Sequence, residues 1–117
     1  MKLLNESKIE IKKSKFLGYA YEVETIEEVK QVIETLKEEH KKARHTPYAY
    51  ILSNTAGKSD DKEPTNTAGL PIYNLLEMKN LKNILVVVVR YFGGTKLGAG
   101  NLLRAYLEAA KEAIKDL

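Results

Sequence analysis

A chain of 117 residues, 44% hydrophobic and 30% charged, fits one globular domain and is too short for two independent cores. It contains no cysteine, which excludes a disulfide framework and any thiolate metal site, and no apolar run approaches the ~20 residues of a membrane span. Its net charge of +3 does not by itself argue for nucleic acid, and Met1-Lys2-Leu3-Leu4-Asn5-Glu6 turns polar too early for a signal peptide, so a cytoplasmic setting is expected.

Lys8-Ile9-Glu10-Ile11-Lys12 alternates polar and apolar residues, the period of a half-buried strand. A basic tip, Lys12-Lys13-Ser14-Lys15, leads into a second strand near Phe16–Val23, with Leu17, Tyr19, Tyr21 and Val23 on one face and Gly18 and Ala20 on the other. The two strands read as an antiparallel hairpin. Thr25 and Glu28 form a capping box for a helix with the apolar stripe Ile26, Val29, Val32, Ile33 and Leu36. Ala43-Arg44-His45-Thr46-Pro47 is a turn, because the residue before proline is pushed out of helical geometry, and Tyr48–Leu52 is a third strand.

The polar segment from Ser53 to Asn66 is long for a connection and is therefore functional or disordered. Thr67 is positioned to cap a short helix carrying Ile72, Leu75 and Leu76, with Pro71 tolerated in its first turn. Ile84–Val89 is apolar at successive positions and reads as a central strand. Asn101 is a candidate cap for the last helix, whose core side would carry Leu102, Leu103, Tyr106, Ala109, Ala110, Ala113, Ile114 and Leu117. This order of elements predicts a single domain over residues 1–117. Its expected form is a two-layer α+β sandwich, with helices on one face of a mixed sheet of about four strands.

The segment Arg90–Tyr106 holds four of the seven glycines and three cationic side chains at a strand-to-helix junction. Glycine there allows positive φ and close approach, and the free N–H groups of the helix start favour an anion. A tight turn with a glycine bulge is the plain alternative. Gly98-Ala99-Gly100 fails as a dinucleotide fingerprint, since Leu103 occupies the third glycine position, and no Walker A motif surrounds Lys96. Asp60, Asp61 and Glu63 are candidate oxygen ligands for a hard cation, or simply a solvated acidic loop. His45 is the best titratable group for chemistry, against a packing or turn role. Tyr48, Tyr50 and Tyr91 beside Arg44, Arg90, Lys96 and Arg104 form either an aromatic, basic nucleic-acid surface or core tyrosines with wet hydroxyls.

Three blocks, Arg44–Tyr50, Asp60–Pro71 and Arg90–Gly100 with Leu103-Arg104-Ala105-Tyr106, resemble the YigZ/IMPACT family in sequence and order. The resemblance implies a fold like the second domain of ribosomal protein S-five. It also implies a role in translation, since eukaryotic members regulate initiation and nucleic-acid or ribosome-related binding has been proposed for bacterial ones. Carried over, the shared surface would comprise Arg44, His45, Asp60, Asp61, Glu63, Arg90, Gly93, Gly94, Lys96, Gly98, Gly100 and Arg104. Lys62, Asn66 and Asn101 stand where the family pattern has glycine. The small C-terminal ferredoxin-like domain of bacterial relatives is not expected here, nor is the N-terminal domain of eukaryotic ones. The resulting expectation is a non-enzymatic regulatory or binding module linked to translation, with no cofactor, metal or catalytic residue. Its partners would be RNA, the ribosome or a translation-regulatory protein, and no membrane. The alternative is a small enzyme for a phosphorylated or nucleotide substrate, with Asp60 and Asp61 holding Mg²⁺.

Overall fold

The computed structural model describes all 117 residues, and its chain opens with a hairpin of β1 (Lys2–Ile11) and β2 (Ser14–Glu22). Lys12 (φ 48°) and Lys13 (φ 70°) both take the left-handed conformation at its tip, the pattern of a two-residue hairpin turn. Helix α1 (Ile26–Glu39) starts at Thr25, whose hydroxyl accepts from the Glu28 amide at 3.1 Å. The Glu28 carboxylate reaches back to the amide of Glu24 at 2.7 Å, one residue earlier than in a standard capping box. The chain continues through β3 (Tyr48–Ile51), β4 (Ala56–Ser59), α2 (Gly69–Met78), β5 (Ile84–Tyr91) and α3 (Ala99–Ile114).

The sheet order is β1-β2-β5-β3-β4, and every pairing is antiparallel. The α+β class read from the sequence holds, and three details of the sheet change. It has five strands, is antiparallel rather than mixed, and carries helices on both faces. The fifth strand, Ala56-Gly57-Lys58-Ser59, lies inside the polar segment. As a short edge strand with exposed and half-buried positions it needs no apolar run.

Strand alternation explains the second helical layer. Ile84, Val86 and Val88 of β5 face α2 and α3, in a core with Phe16, Ile72, Leu76, Leu102 and Tyr106. Leu85, Val87 and Val89 face α1, in a second core with Val23, Val29, Val32 and Leu36. Leu17, Tyr19 and Tyr21 of β2 pack against this second core, so the face of β2 read from the sequence is the one that α1 covers.

Three helix details also differ. Ala68 is the N-cap of α2 and provides no side-chain cap, while the Thr67 hydroxyl donates to the Pro64 carbonyl at 2.6 Å. Gly98, not Asn101, is the N-cap of α3. Leu103 and Leu117 are exposed rather than buried. No helix is long and apolar enough to cross a membrane.

Candidate functional site: a cationic cleft at the end of β5

Strand β5 delivers Arg90 to the edge of the α2–α3 core, where the 60–66 turn and the start of α3 meet it. A cleft of about 280 Å³ lies there, with polar walls formed by Arg44, His45, Glu63, Arg90 and Lys96. Phe92, Leu97 and Leu102 supply its apolar surface. Arg44 and His45 are held to β5 by backbone bonds: Arg44 N–H donates to the Arg90 carbonyl at 3.0 Å, and Arg90 N–H to the His45 carbonyl at 2.9 Å.

Glu63 and Arg90 are only 7% and 6% exposed, so each needs the other. Arg90 Nη1 donates to both carboxylate oxygens of Glu63, at 3.0 and 2.7 Å. Tyr106 of α3 donates its hydroxyl to Glu63 Oε2. Burial pushes the Tyr106 phenol far above its ordinary value, and the bond to Glu63 and its negative charge push further, so the hydroxyl stays a donor. His45 Nδ1 lies 2.8 Å from the Asp61 carbonyl, which only accepts, so this nitrogen carries a proton. Its Nε2 sits 3.6 Å from Glu63 Oε1. The guanidinium of Arg90 also lies 5.6 Å from the Phe16 ring centre.

The two adjacent aspartates serve different elements. Asp60 Oδ1 accepts from the amides of Ala68 (3.2 Å) and Gly69 (2.8 Å), and Oδ2 from Asn66 (2.9 Å). It caps α2 from eight residues upstream, replacing the side-chain cap that Ala68 lacks and complementing the helix dipole. Asp61 Oδ2 accepts from the Thr46 amide (2.7 Å) and hydroxyl (3.0 Å). Burial alone would raise the Asp61 carboxyl, but the Thr46 bonds and the nearby Lys37 and His45 outweigh it and hold the group below its ordinary value. Both carboxylates are therefore committed within the fold. The two carboxylates are directed to different partners, Asp60 to the start of α2 and Asp61 to Thr46.

The two departures from the family glycines in this turn carry a conformational load. Lys62 (φ 71°) and Asn66 (φ 64°) are both left-handed, and Asp61 (φ 44°) is too. Asparagine tolerates this region, but lysine does not do so readily. Lys62→Gly is expected to raise unfolding stability by roughly 0.5–1 kcal/mol, the relieved strain less the extra unfolded-state freedom of glycine. Urea denaturation measures it, and a loss of stability would contradict the strain.

The four glycines after β5 play unequal parts. A Cβ on Gly93 would overlap the Lys13 carbonyl and Ser14 amide of the hairpin tip, so Gly93 lets the tip pack against the segment after β5. Gly94 takes φ 89°. Gly98 and Gly100 face open space, apart from the Arg104 guanidinium tips 3.9 Å from a Cβ on Gly100. Arg104 lies over the first turn of α3, bonded to Asn101 Oδ1 at 2.8 Å, and does not line the cleft.

Of the twelve residues picked out in the sequence, Arg44, His45, Glu63, Arg90 and Lys96 share the cleft wall, while Asp60, Asp61 and Gly93 shape the backbone around it. The tyrosines do not join them. Tyr48, Tyr50 and Tyr91 lie against the α1 core on the other face, Tyr48 and Tyr50 stacked at 6.3 Å and Tyr91 bonded to His40 at 2.5 Å. The aromatic residue of the cleft is Phe92, 38% exposed, with the Arg44 guanidinium 5.0 Å from its ring centre. Sequence reading passed over Phe92 inside the glycine block. It also placed Tyr106 in the core without its Glu63 partner, which no spacing reveals across 43 residues.

The sequence matches the family model described as the Impact N-terminal domain over residues 12–114. It is 38% identical over 120 residues to the IMPACT family member YvyE of Bacillus subtilis, covering 100% of this chain and 55% of that protein. A solved structure described as a hypothetical protein superposes with a TM-score of 0.92 at 36% identity, covering 97% of this chain and 57% of that one. The two-domain translational regulator Yih1 shares the fold, with a TM-score of 0.53 at 22% identity over 96% of this chain and 46% of its own. The chain spans about half the length of the curated relatives it matches. With a match running from the tip of the first hairpin to the end of the last helix, the chain belongs to the IMPACT family.

Proposed function

We propose that this domain is a non-catalytic binding module of a translation-regulatory protein and that it contacts RNA through the cleft and the glycine-rich segment beside it. The translational link comes from the family and from the fold shared with a protein described as a translational regulator. The observation that carries RNA is a set of exposed cations without counter-ions. Arg44, Lys96 and Arg104 lie in or beside the glycine-rich segment, and none of them is in an ion pair. Cations free of internal ion pairs are available to phosphates, and Phe92 adds an aromatic ring for a base.

Fluorescence anisotropy with a labelled single-stranded RNA tests this reading. Arg44→Glu and Lys96→Glu are each expected to weaken binding at least tenfold without changing the fold, because both side chains are exposed and unpaired. Affinity should fall with salt at a slope of about −0.7 per phosphate contacted. No binding at low salt, or binding indifferent to salt, would overturn RNA as the ligand. A protein of the translation apparatus would then be the partner to seek, by pulldown with the same two variants.

A further inference from the structure

We propose that the cleft is a pocket for one nucleotide bearing a terminal phosphate monoester, with the phosphate between Lys96 and Arg90 and the base against Phe92 and Arg44. The inference rests on reading this face as a binding surface, and it names the chemical group that the face selects.

Charge is the first ground. Arg44, Arg90 and Lys96 contribute three positive charges to the cleft wall and Glu63 one negative, which leaves two positive charges before His45 is counted. An internal phosphodiester carries one negative charge, whereas a monoester carries close to two at neutral pH. A monoester therefore matches the cleft more closely than a single phosphodiester of a strand interior does.

Arg90 is the second ground. It is 94% buried by its 6% exposure, yet it spends only Nη1 on Glu63. Its Nε is sealed with no partner at all, and Nη2 has no hydrogen bond to the protein yet is not sealed. A buried guanidinium with donors left over is costly unless something accepts from it. The cleft is where an acceptor can reach Nη2, and a phosphate oxygen is the acceptor that suits guanidinium geometry.

Size and surroundings supply the third ground. At about 280 Å³ the cleft is at the small end of ligand sites and holds one nucleotide, not a run of them. Phe92 is 38% exposed with the Arg44 guanidinium 5.0 Å from its ring centre, and the two together offer a platform for a planar base. Gly98 and Gly100 meet no steric demand from the fold, and α3 starts without a side-chain cap, so its first amides stay uncovered beside the cleft.

The group could be a free nucleotide or the end of an RNA strand, and the test separates them. Isothermal titration of the whole chain is made with adenosine 5′-monophosphate, with adenosine, and with a short RNA carrying a 5′-phosphate, a 3′-phosphate or hydroxyls at both ends. A free-nucleotide site should bind the monophosphate at least tenfold more tightly than adenosine. A strand-end site should prefer one phosphorylated end over the hydroxyl-ended RNA by a similar factor. Lys96→Ala should remove most of either preference while leaving the thermal midpoint unchanged. Phe92→Ala should weaken the monophosphate but leave inorganic phosphate as it was. Equal affinity for the monophosphate and adenosine, together with equal affinity for all three RNAs, would overturn the pocket and still leave the RNA reading standing. Binding of the monophosphate without any RNA binding would support the pocket and overturn the RNA reading.

Discussion

Glu63→Ala is expected to destabilise the domain by about 3–5 kcal/mol, the range for leaving one partner of a buried ion pair alone. The side chains are 3% and 7% exposed, so water reaches Arg90 only from its cleft side and is a poor substitute for the lost carboxylate. The Tyr106 hydroxyl loses its acceptor in the same step, and it is too buried to ionise or to find water. The check is urea denaturation followed by circular dichroism, with the slope compared to confirm a two-state transition. A companion double variant, Glu63→Leu with Arg90→Met, should recover most of the loss, because well-packed apolar residues can replace a buried pair at little cost. If Glu63→Ala costs less than about 1 kcal/mol, the pair is hydrated and the structural reading of Glu63 is wrong.

Gly93→Ala should cost about 3 kcal/mol, near the top of the usual range for forcing extra volume into a packed site. The atoms an added methyl would meet are the Lys13 carbonyl and the Ser14 amide, which are backbone and cannot rotate aside. Ser14 is itself fully buried, and its hydroxyl accepts from the Gly93 amide at 3.3 Å. Moving the hairpin tip away therefore breaks that bond as well. Gly100→Ala, seven residues on, is the internal contrast. It lies in the first turn of α3 with open space around it, and alanine should stabilise the helix by up to about 1 kcal/mol. Equal effects from the two substitutions in thermal or urea unfolding would contradict the distinction drawn between these glycines.

Much of the fold was legible because local rules act directly on the residues concerned. Thr25 and Glu28 mark the start of α1, and Ile84–Val89 marks the central strand. The second helical layer was missed, since helices were expected on one face only, although a strand apolar at every position needs cover on both and Leu17, Tyr19 and Tyr21 pack against the core that α1 covers. The insertion of β5 between β2 and β3 was not legible, since no local signal specifies which strands become neighbours. Nor was β4, whose Ala56-Gly57-Lys58-Ser59 carries no β-branched or aromatic residue.

In the candidate site, residue types were easier to read than directions. Arg44, His45, Glu63, Arg90 and Lys96 meet as a single cleft. Asp60 and Asp61 looked like a matched acidic pair, but the left-handed turn at Asp61 and Lys62 commits them to different partners, the start of α2 and Thr46. Tyr91 and Arg90 are neighbours in sequence and lie on opposite faces of β5, which separates the tyrosines from the cleft and leaves Phe92 as its aromatic residue.

The most direct measurement is a map of amide chemical shifts on adding a short single-stranded RNA at low salt. The perturbed amides are expected to cluster at Arg44, His45 and Phe92 and from Lys96 to Gly100, and to fade as salt is raised. Shifts confined to the apolar groove around Met78 and Leu103 between α2 and α3, with the cleft silent, would contradict the placement of the binding surface at the end of β5.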